Sequence, residues 1–303
     1  MAAMSQTTPS AETYSGRPLG FTIPSRNTRG RLVRLDSALD AILSAHDYPA
    51  PITHLLAEAL VLTALAGSLL KEEGAQVTMQ AQTENGPVRL LVCDYREGAL
   101  RGYADFDADR LAELGANPTL FGLFGKGHLA ITFDLPSGKG RYQGIVPLEG
   151  DSLGEAFQTY FVQSEQVPTL IRTAVVAGEG GCRAAGVLVQ HLPDGEEGRE
   201  RLHARLDHPE WEHVAVLAGS IRHEELLDPE LSLEALVWRL FHEEEEVRIV
   251  PGPAISRGCR CSAEHYEQVL ARFPEEDRAD MRDENGLILV DCAFCSKIFP
   301  IAA

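Results

Sequence analysis

The chain has 303 residues, 44% of them apolar, which is enough to bury a sizeable core in one or two domains. Its formal net charge is −18 and its pI about 4.9, so the surface repels phosphate backbones and argues against non-specific nucleic-acid binding. Met1 to Ser15 has neither the basic nor the apolar stretch of a signal peptide and reads as a disordered polar tail. Without an export signal the chain is expected in the cytoplasm, where cysteines stay reduced and metal binding is favoured over structural disulfides.

The longest apolar run, Leu55 to Leu70, is interrupted by Glu58 and follows Pro51, a residue suited to a first helical turn. It is short for a membrane span and predicts a buried helix. Val77, Met79 and Ala81 then alternate with polar residues, and Asn85-Gly86 offers a hairpin turn before a second strand over Val88 to Cys93. Further strands are predicted at Leu100–Ala104, Leu129–Phe133, Arg141–Val146 and Arg172–Val176, with helices over Gly154–Val162 and Gly186–Leu192. Consecutive strands with a few helices make the fold class α+β, with antiparallel sheet and packed helices.

From Asp194 to Glu246 acidic residues outnumber basic ones, yet two apolar stripes survive. Trp211, Val214, Ala218 and Ile221 share one helical face, and Leu233, Leu236, Val237, Leu240 and Phe241 share another. Ser232 is placed to N-cap the second helix, with Leu231 and Leu236 as a hydrophobic staple. Glu243 to Glu246 put four like charges near the helix C-terminus, where the macrodipole disfavours them, so this helical segment is expected to be weakly stable or a solvated face. Its stripes need apolar partners, which the surface of a folded C-terminal module is expected to supply.

That module follows Pro251-Gly252-Pro253. Four of the six cysteines lie in it as two tight pairs, Cys259-Arg260-Cys261 and Cys292-Ala293-Phe294-Cys295. Four thiolates on either side of a short foldable segment can hold one tetrahedral ion, and sulfur ligands in a small domain favour Zn²⁺. The same pairs can form two vicinal disulfides, so a purely structural zinc knuckle and a redox-responsive site both remain open. So short a module builds little core alone, and the ion would supply much of its folding free energy. His265, four residues after Cys261, competes as a ligand but reads better as an exposed helix residue. Cys93 and Cys182 read as small buried hydrophobes. Gly122, Gly125 and Gly127 resemble a phosphate loop but precede a strand rather than a helix. Gly138-Lys139-Gly140 lacks the Ser/Thr of a Walker loop, and no nucleophile elbow or triad is present.

Several segments together carry a family resemblance across nearly the whole chain. They are Tyr48-Pro49, Leu100-Arg101-Gly102-Tyr103-Ala104, Gly125 to Thr132, Tyr142-Gln143-Gly144-Ile145-Val146, Tyr160 to Thr169 and Trp238 to Glu244, together with the C-x-C and C-x-x-C pairs. The chain resembles the heat shock protein 33 family of bacterial redox-regulated chaperones. The resemblance implies a disordered tail over 1–16, an N-terminal chaperone domain over 17–193, an acidic helical linker over 194–255 and a zinc-binding redox-switch domain over 256–303. It implies a non-enzymatic, ATP-independent holdase in which Cys259, Cys261, Cys292 and Cys295 hold Zn²⁺ when reduced. Oxidation then pairs Cys259 with Cys261 and Cys292 with Cys295. The implied partners are unfolded or partly folded client proteins and, when oxidised, a second copy of the chain, with no nucleic acid and no membrane. A thiol–disulfide oxidoreductase using Cys292 and Cys295, and a zinc-bearing regulatory or scaffold protein, are the alternatives. The linker is also rich in histidine, at His203, His208, His213, His223 and His242, and the sequence assigns these residues no role.

Overall fold

A computed structural model describes residues 16–83, 85–136, 140–178, 181–193 and 208–302. The expected tail, apart from Gly16, and the linker over 194–207 with His203 lie outside the described residues, as do 138 and 139 of the second glycine–lysine motif. The long apolar run becomes α2 (Ala50–Gly67), with Pro51 in its first turn. By length and composition α2 could cross a membrane, but 78% of it is buried inside the protein, as a core helix is. It is apolar on nearly every side because it is covered on nearly every side, by a sheet on each flank.

One flank is a six-stranded sheet in the order β11-β5-β4-β3-β6-β7. Its strands are β3 (Gln76–Thr83), β4 (Val88–Arg96), β5 (Ala99–Phe106), β6 (Gly127–Leu135), β7 (Gly140–Pro147) and β11 (Ser256–Arg257). All pairs are antiparallel except β11 with β5, which is parallel. The predicted hairpin holds: β3 and β4 pair in antiparallel register, Met79 opposite Cys93. Gly86 in that connection is needed for space, since a Cβ there would stand 2.4 Å from the Leu123 carbonyl oxygen of α4 (Leu120–Phe124).

The other flank is a five-stranded antiparallel sheet ordered β10-β1-β2-β9-β8. It comprises β1 (Leu19–Ile23), β2 (Thr28–Leu35), β8 (Thr169–Gly178), β9 (Gly181–His191) and β10 (Arg248–Pro251). The helix expected over Gly186–Leu192 is instead the second half of β9. Its residues are apolar without alternation because both faces are covered. Ala184 and Leu188 face the α2 core, while Ala185, Val187 and Val189 face the linker. A strand buried on both faces cannot be told from a helix by periodicity. The Gly154–Val162 expectation holds as α5 (Leu153–Tyr160), continued by a π-helical turn over Phe161–Glu165. Glu58 of α2 reaches its start, where one carboxylate oxygen accepts from Gly154 N and Thr173 Oγ1 at 3.1 Å each. Burial pushes the Glu58 carboxyl up, and these hydrogen bonds work against that.

The linker forms α6 (Pro209–Gly219), α7 (His223–Leu227) and α8 (Leu233–Phe241). Ser232 caps α8, its Oγ accepting from Ala235 N at 3.2 Å. Both predicted stripes are buried, but their partners differ from expectation. They pack on Leu19, Phe21, Ile23, Leu32, Val187 and Val189 of the five-stranded sheet, and the cysteine module is absent from this cluster. The sheet has a second apolar face because β2 and β9 carry residues of both sets, and only the linker covers that face. Glu243, Glu245 and Glu246 of the glutamate run are exposed, as expected of a solvated stretch, while the Glu244 side chain is drawn in. Glu244, only 5% exposed, pairs with Arg26 at 2.9 Å and His213 at 2.9 Å, and Glu246 pairs with Arg248. The segment after α8 is not helical: it becomes β10, an edge strand paired with β1.

Candidate metal centre

The C-terminal module consists of α9 (Ala263–Leu270), α10 (Glu275–Met281) and a hairpin of β12 (Ile288–Asp291) with β13 (Ile298–Ile301). Cys292 to Cys295 occupy the hairpin turn. Cys295 N and Ser296 N both donate to the Cys292 carbonyl, at 3.1 and 2.8 Å, and Ser296 takes a positive φ of 54° to close the knuckle. Cys259 and Cys261 lie between β11 and α9. Ser262 ends that segment by capping α9, its Oγ accepting from His265 N at 3.2 Å.

These elements bring the four sulfurs within 4.8 Å of one another. Cys259 and Cys261 Sγ are 3.2 Å apart, and Cys259–Cys292 and Cys261–Cys295 are each 3.5 Å apart. Tetrahedral sulfurs about 2.3 Å from one ion stand about 3.8 Å apart, so the donor set and its size fit Zn²⁺. It is the one group of three or more Cys, His, Asp or Glu side chains so placed among the described residues. Burial works to raise the Cys292 thiol, but the Tyr266 hydroxyl and the Phe294 N–H donate to its sulfur and bring it down to about 7. Cys261 is pushed up by burial and by hydrogen bonding with the neighbouring sulfurs, Cys259 first. A crowd of sulfurs resists further ionisation unless a cation joins it.

The module core is small: Leu270, Ile288, Cys292, Phe299 and Ile301, with Tyr266 and the other three cysteines against it. The module leans on the six-stranded sheet. Ser256–Arg257 pair with Ala99–Leu100, and Gly258 N donates to Leu100 O at 2.8 Å. Arg257 Nη1 donates to Ala41 O at 3.1 Å, and Ser296 Oγ lies 3.2 Å from His46 Nδ1. Arg260 reaches Asp94, and Phe294 meets Tyr103 and Arg101.

His265 stands outside the sulfur cluster, exposed on α9. Cys93 in β4 is fully buried, and burial pushes its thiol up. Cys182, near the start of β9, is buried, and burial pushes its thiol up to about 11. Of the linker histidines, His208 caps α6, His213 meets Glu244 and His242 lies against Trp238. Sequence reasoning missed Tyr266 and Arg260, because their partners Cys292 and Asp94 are remote in sequence and no spacing marks the pairing.

The Hsp33 protein family model matches residues 17–302. A protein named 33 kDa chaperonin from Caulobacter vibrioides is 39% identical over 289 residues, covering 93% of each chain. One of the same name from Nitrosococcus oceani is 37% identical over 278 residues, covering 91% of this chain and 88% of that one. A crystal structure of a 33 kDa chaperonin, a heat shock protein 33 homologue from Thermotoga maritima, superposes with a TM-score of 0.76. At 23% identity over 94% of both chains, it is a match of fold.

Proposed function

The chain belongs to the Hsp33 family of chaperones, and from that footing we propose that it is a redox-switched, ATP-independent holdase. The observation that carries this reading is the convergence of Cys259, Cys261, Cys292 and Cys295 within 4.8 Å in a module with almost no other core. Bound by these four residues, Zn²⁺ would tie the C-x-C segment to the hairpin and keep the sulfurs ionised. The compartment that suits this reduced state is the cytoplasm.

On oxidation Cys259 pairs with Cys261 and Cys292 with Cys295, and each pair gives up two electrons to a peroxide-class oxidant. The module then loses the restraint that gathers its segments. Its loss loosens β11 and, through Gly252 to Ala254, β10, the strand that ends the linker. Release of α6–α8 uncovers two apolar surfaces at once: the linker stripes and the sheet face formed by Leu19, Phe21, Val187 and Val189. Unfolding client proteins bind such surface through the hydrophobic effect, and the net charge of −18 keeps the complex soluble. The oxidised form pairs as a homodimer, and neither nucleic acid nor membrane takes part.

The oxidoreductase reading is disfavoured by position: Cys292-x-x-Cys295 fills a hairpin turn, not the helix N-terminus that activates such a thiol. The deciding experiment compares reduced and oxidised protein, without ATP, for suppression of aggregation of a heat-denatured protein, with zinc content measured on the same samples. Suppression by the oxidised, zinc-depleted sample alone is expected. Equal suppression by both would overturn the redox switch, and catalytic turnover of a disulfide substrate would favour the oxidoreductase.

A further inference from the structure

The side chains enclosed by the two cysteine pairs converge on one spot of the six-stranded sheet. Arg260, the single residue inside Cys259–Cys261, donates from Nη2 to Asp94 Oδ1 at 2.7 Å and from Nη1 to Gln76 Oε1 at 2.8 Å. Phe294, inside Cys292–Cys295, sets its ring edge-on to Tyr103 at 4.9 Å, with the Arg101 guanidinium 4.0 Å over its centroid. Arg101 closes the circuit by donating to Asp94 Oδ2 at 2.8 Å. The circuit Arg260–Asp94–Arg101–Phe294 therefore starts and ends inside the sulfur site. The Asp94 side chain is only 5% exposed, so its bond to Arg260 is sheltered from water, where correct geometry matters most.

We propose that Arg260 and Phe294 are a latch that transmits the state of the four sulfurs to the docking of the module on β3, β4 and β5. This deepens the redox reading above and names the contact through which that site acts. Each latch residue is held on both sides by cysteines, so its backbone position follows the sulfurs. Cys259 and Cys261 now stand 3.2 Å apart, and a disulfide brings them to about 2.05 Å. In that step two thiolates give up two electrons and form a sulfur–sulfur bond, and one peroxide takes those electrons and two protons from solvent to become two waters. The loop that contracts is the one carrying Arg260, and a guanidinium gripping two acceptors tolerates little reorientation. Beside the latch, among the described residues, the module is held by the β11 ladder with its bonds from Ser256 N to Gly98 O and Gly258 N to Leu100 O, by the Arg257 bond to Ala41, and by His46 against Ser296 and the Phe294 backbone. An unlatched module rests on these contacts.

The test uses the reduced, zinc-loaded full chain carrying Arg260→Ala, read by hydrogen exchange over residues 99–103 and 254–258 and by zinc content. The variant should fold, since Asp94 keeps Arg101 as its partner. Zinc content should match the parent protein, while exchange in both segments rises roughly tenfold or more toward the level of the oxidised parent. Phe294→Leu, which retains apolar bulk, should give the same pattern and decides the matter if Arg260→Ala does not fold. Unchanged protection at 99–103 in the folded variant would overturn the latch, as would an oxidised parent that loses zinc yet keeps that segment protected. A parent that neither releases zinc nor gains activity on oxidation overturns the redox reading instead. The Arg260 result in reduced protein is independent of that outcome.

Discussion

Individual side chains hold this protein together at places remote in sequence, and their removal has separable effects. Cys292→Ser should lower bound zinc sharply on metal analysis, because the tetrahedron loses the sulfur already favoured as a thiolate. Full retention would mean that another group, such as His265, completes the site. Arg34 of β2 fastens the linker through main-chain carbonyls, donating from Nε to Leu226 O at 2.9 Å and from Nη1 to Leu231 O at 3.1 Å. Arg34→Ala strands these acceptors, at a cost of about 1–3 kcal/mol. Exchange across 223–241 should rise roughly ten- to a hundredfold with zinc retained; zinc loss in this variant would contradict the separation of linker and metal site. The four cysteines were legible in the sequence because their chemistry requires close spacing within each pair. Arg34, Arg260 and Asp94 were not, because a salt bridge or a carbonyl cap is defined by where the chain folds back.

At the scale of elements, the linker helices form a separate layer on the outer face of the five-stranded sheet. Leu236 of α8 is fully buried against the sheet, and Leu236→Ala should cost about 2–5 kcal/mol. The loss falls on the linker, so the reduced variant should suppress client aggregation without oxidant; no activity with a linker shown open by exchange would place the client surface elsewhere. The layer also carries an acid-sensitive tie. Burial opposes ionisation of Glu225, but the Arg222 N–H, the Arg222 guanidinium and Arg239 outweigh it and hold the carboxyl below its ordinary 4.5. A depressed carboxyl contributes stability that is present above the unfolded value and lost as pH falls through the folded one. Linker protection should therefore weaken below about pH 4.5, and Glu225→Gln should flatten that dependence. Helices α6 and α8 and strands β3 to β8 follow visible periodicity and turn chemistry, whereas the five-residue α7 is too short to show a stripe. The second half of β9 imitates a helix in sequence because both its faces are covered. β1, β2 and β10 gave no signal: β1 and β10 are short, and β2 interleaves its apolar residues with arginines whose charges are taken up by the fold, such as Arg31 on Ser68 O.

For the whole molecule, oxidation should remove exchange protection from Trp211 to Phe241 and from the cysteine module while leaving Val77 to Val146 protected, apart from the β5 edge over 99–103 that the module covers. A linker that stayed protected while activity appeared would contradict the proposed release. Such a division is possible because β9 serves two cores, one face on α2 and the other beneath the linker. Each face is expected to belong to a different cooperative unit, with the strand as the wall between them. Losing the outer unit strips one side of β9 without breaking its ladders to β2 and β8 or its packing on α2. Heating the metal-free protein should accordingly show two calorimetric transitions, the lower one abolished first by linker substitutions such as Leu236→Ala. A single transition would mean that the two units melt as one. If both transitions appear, β9 would remain in place as the template on which a released linker could fold again.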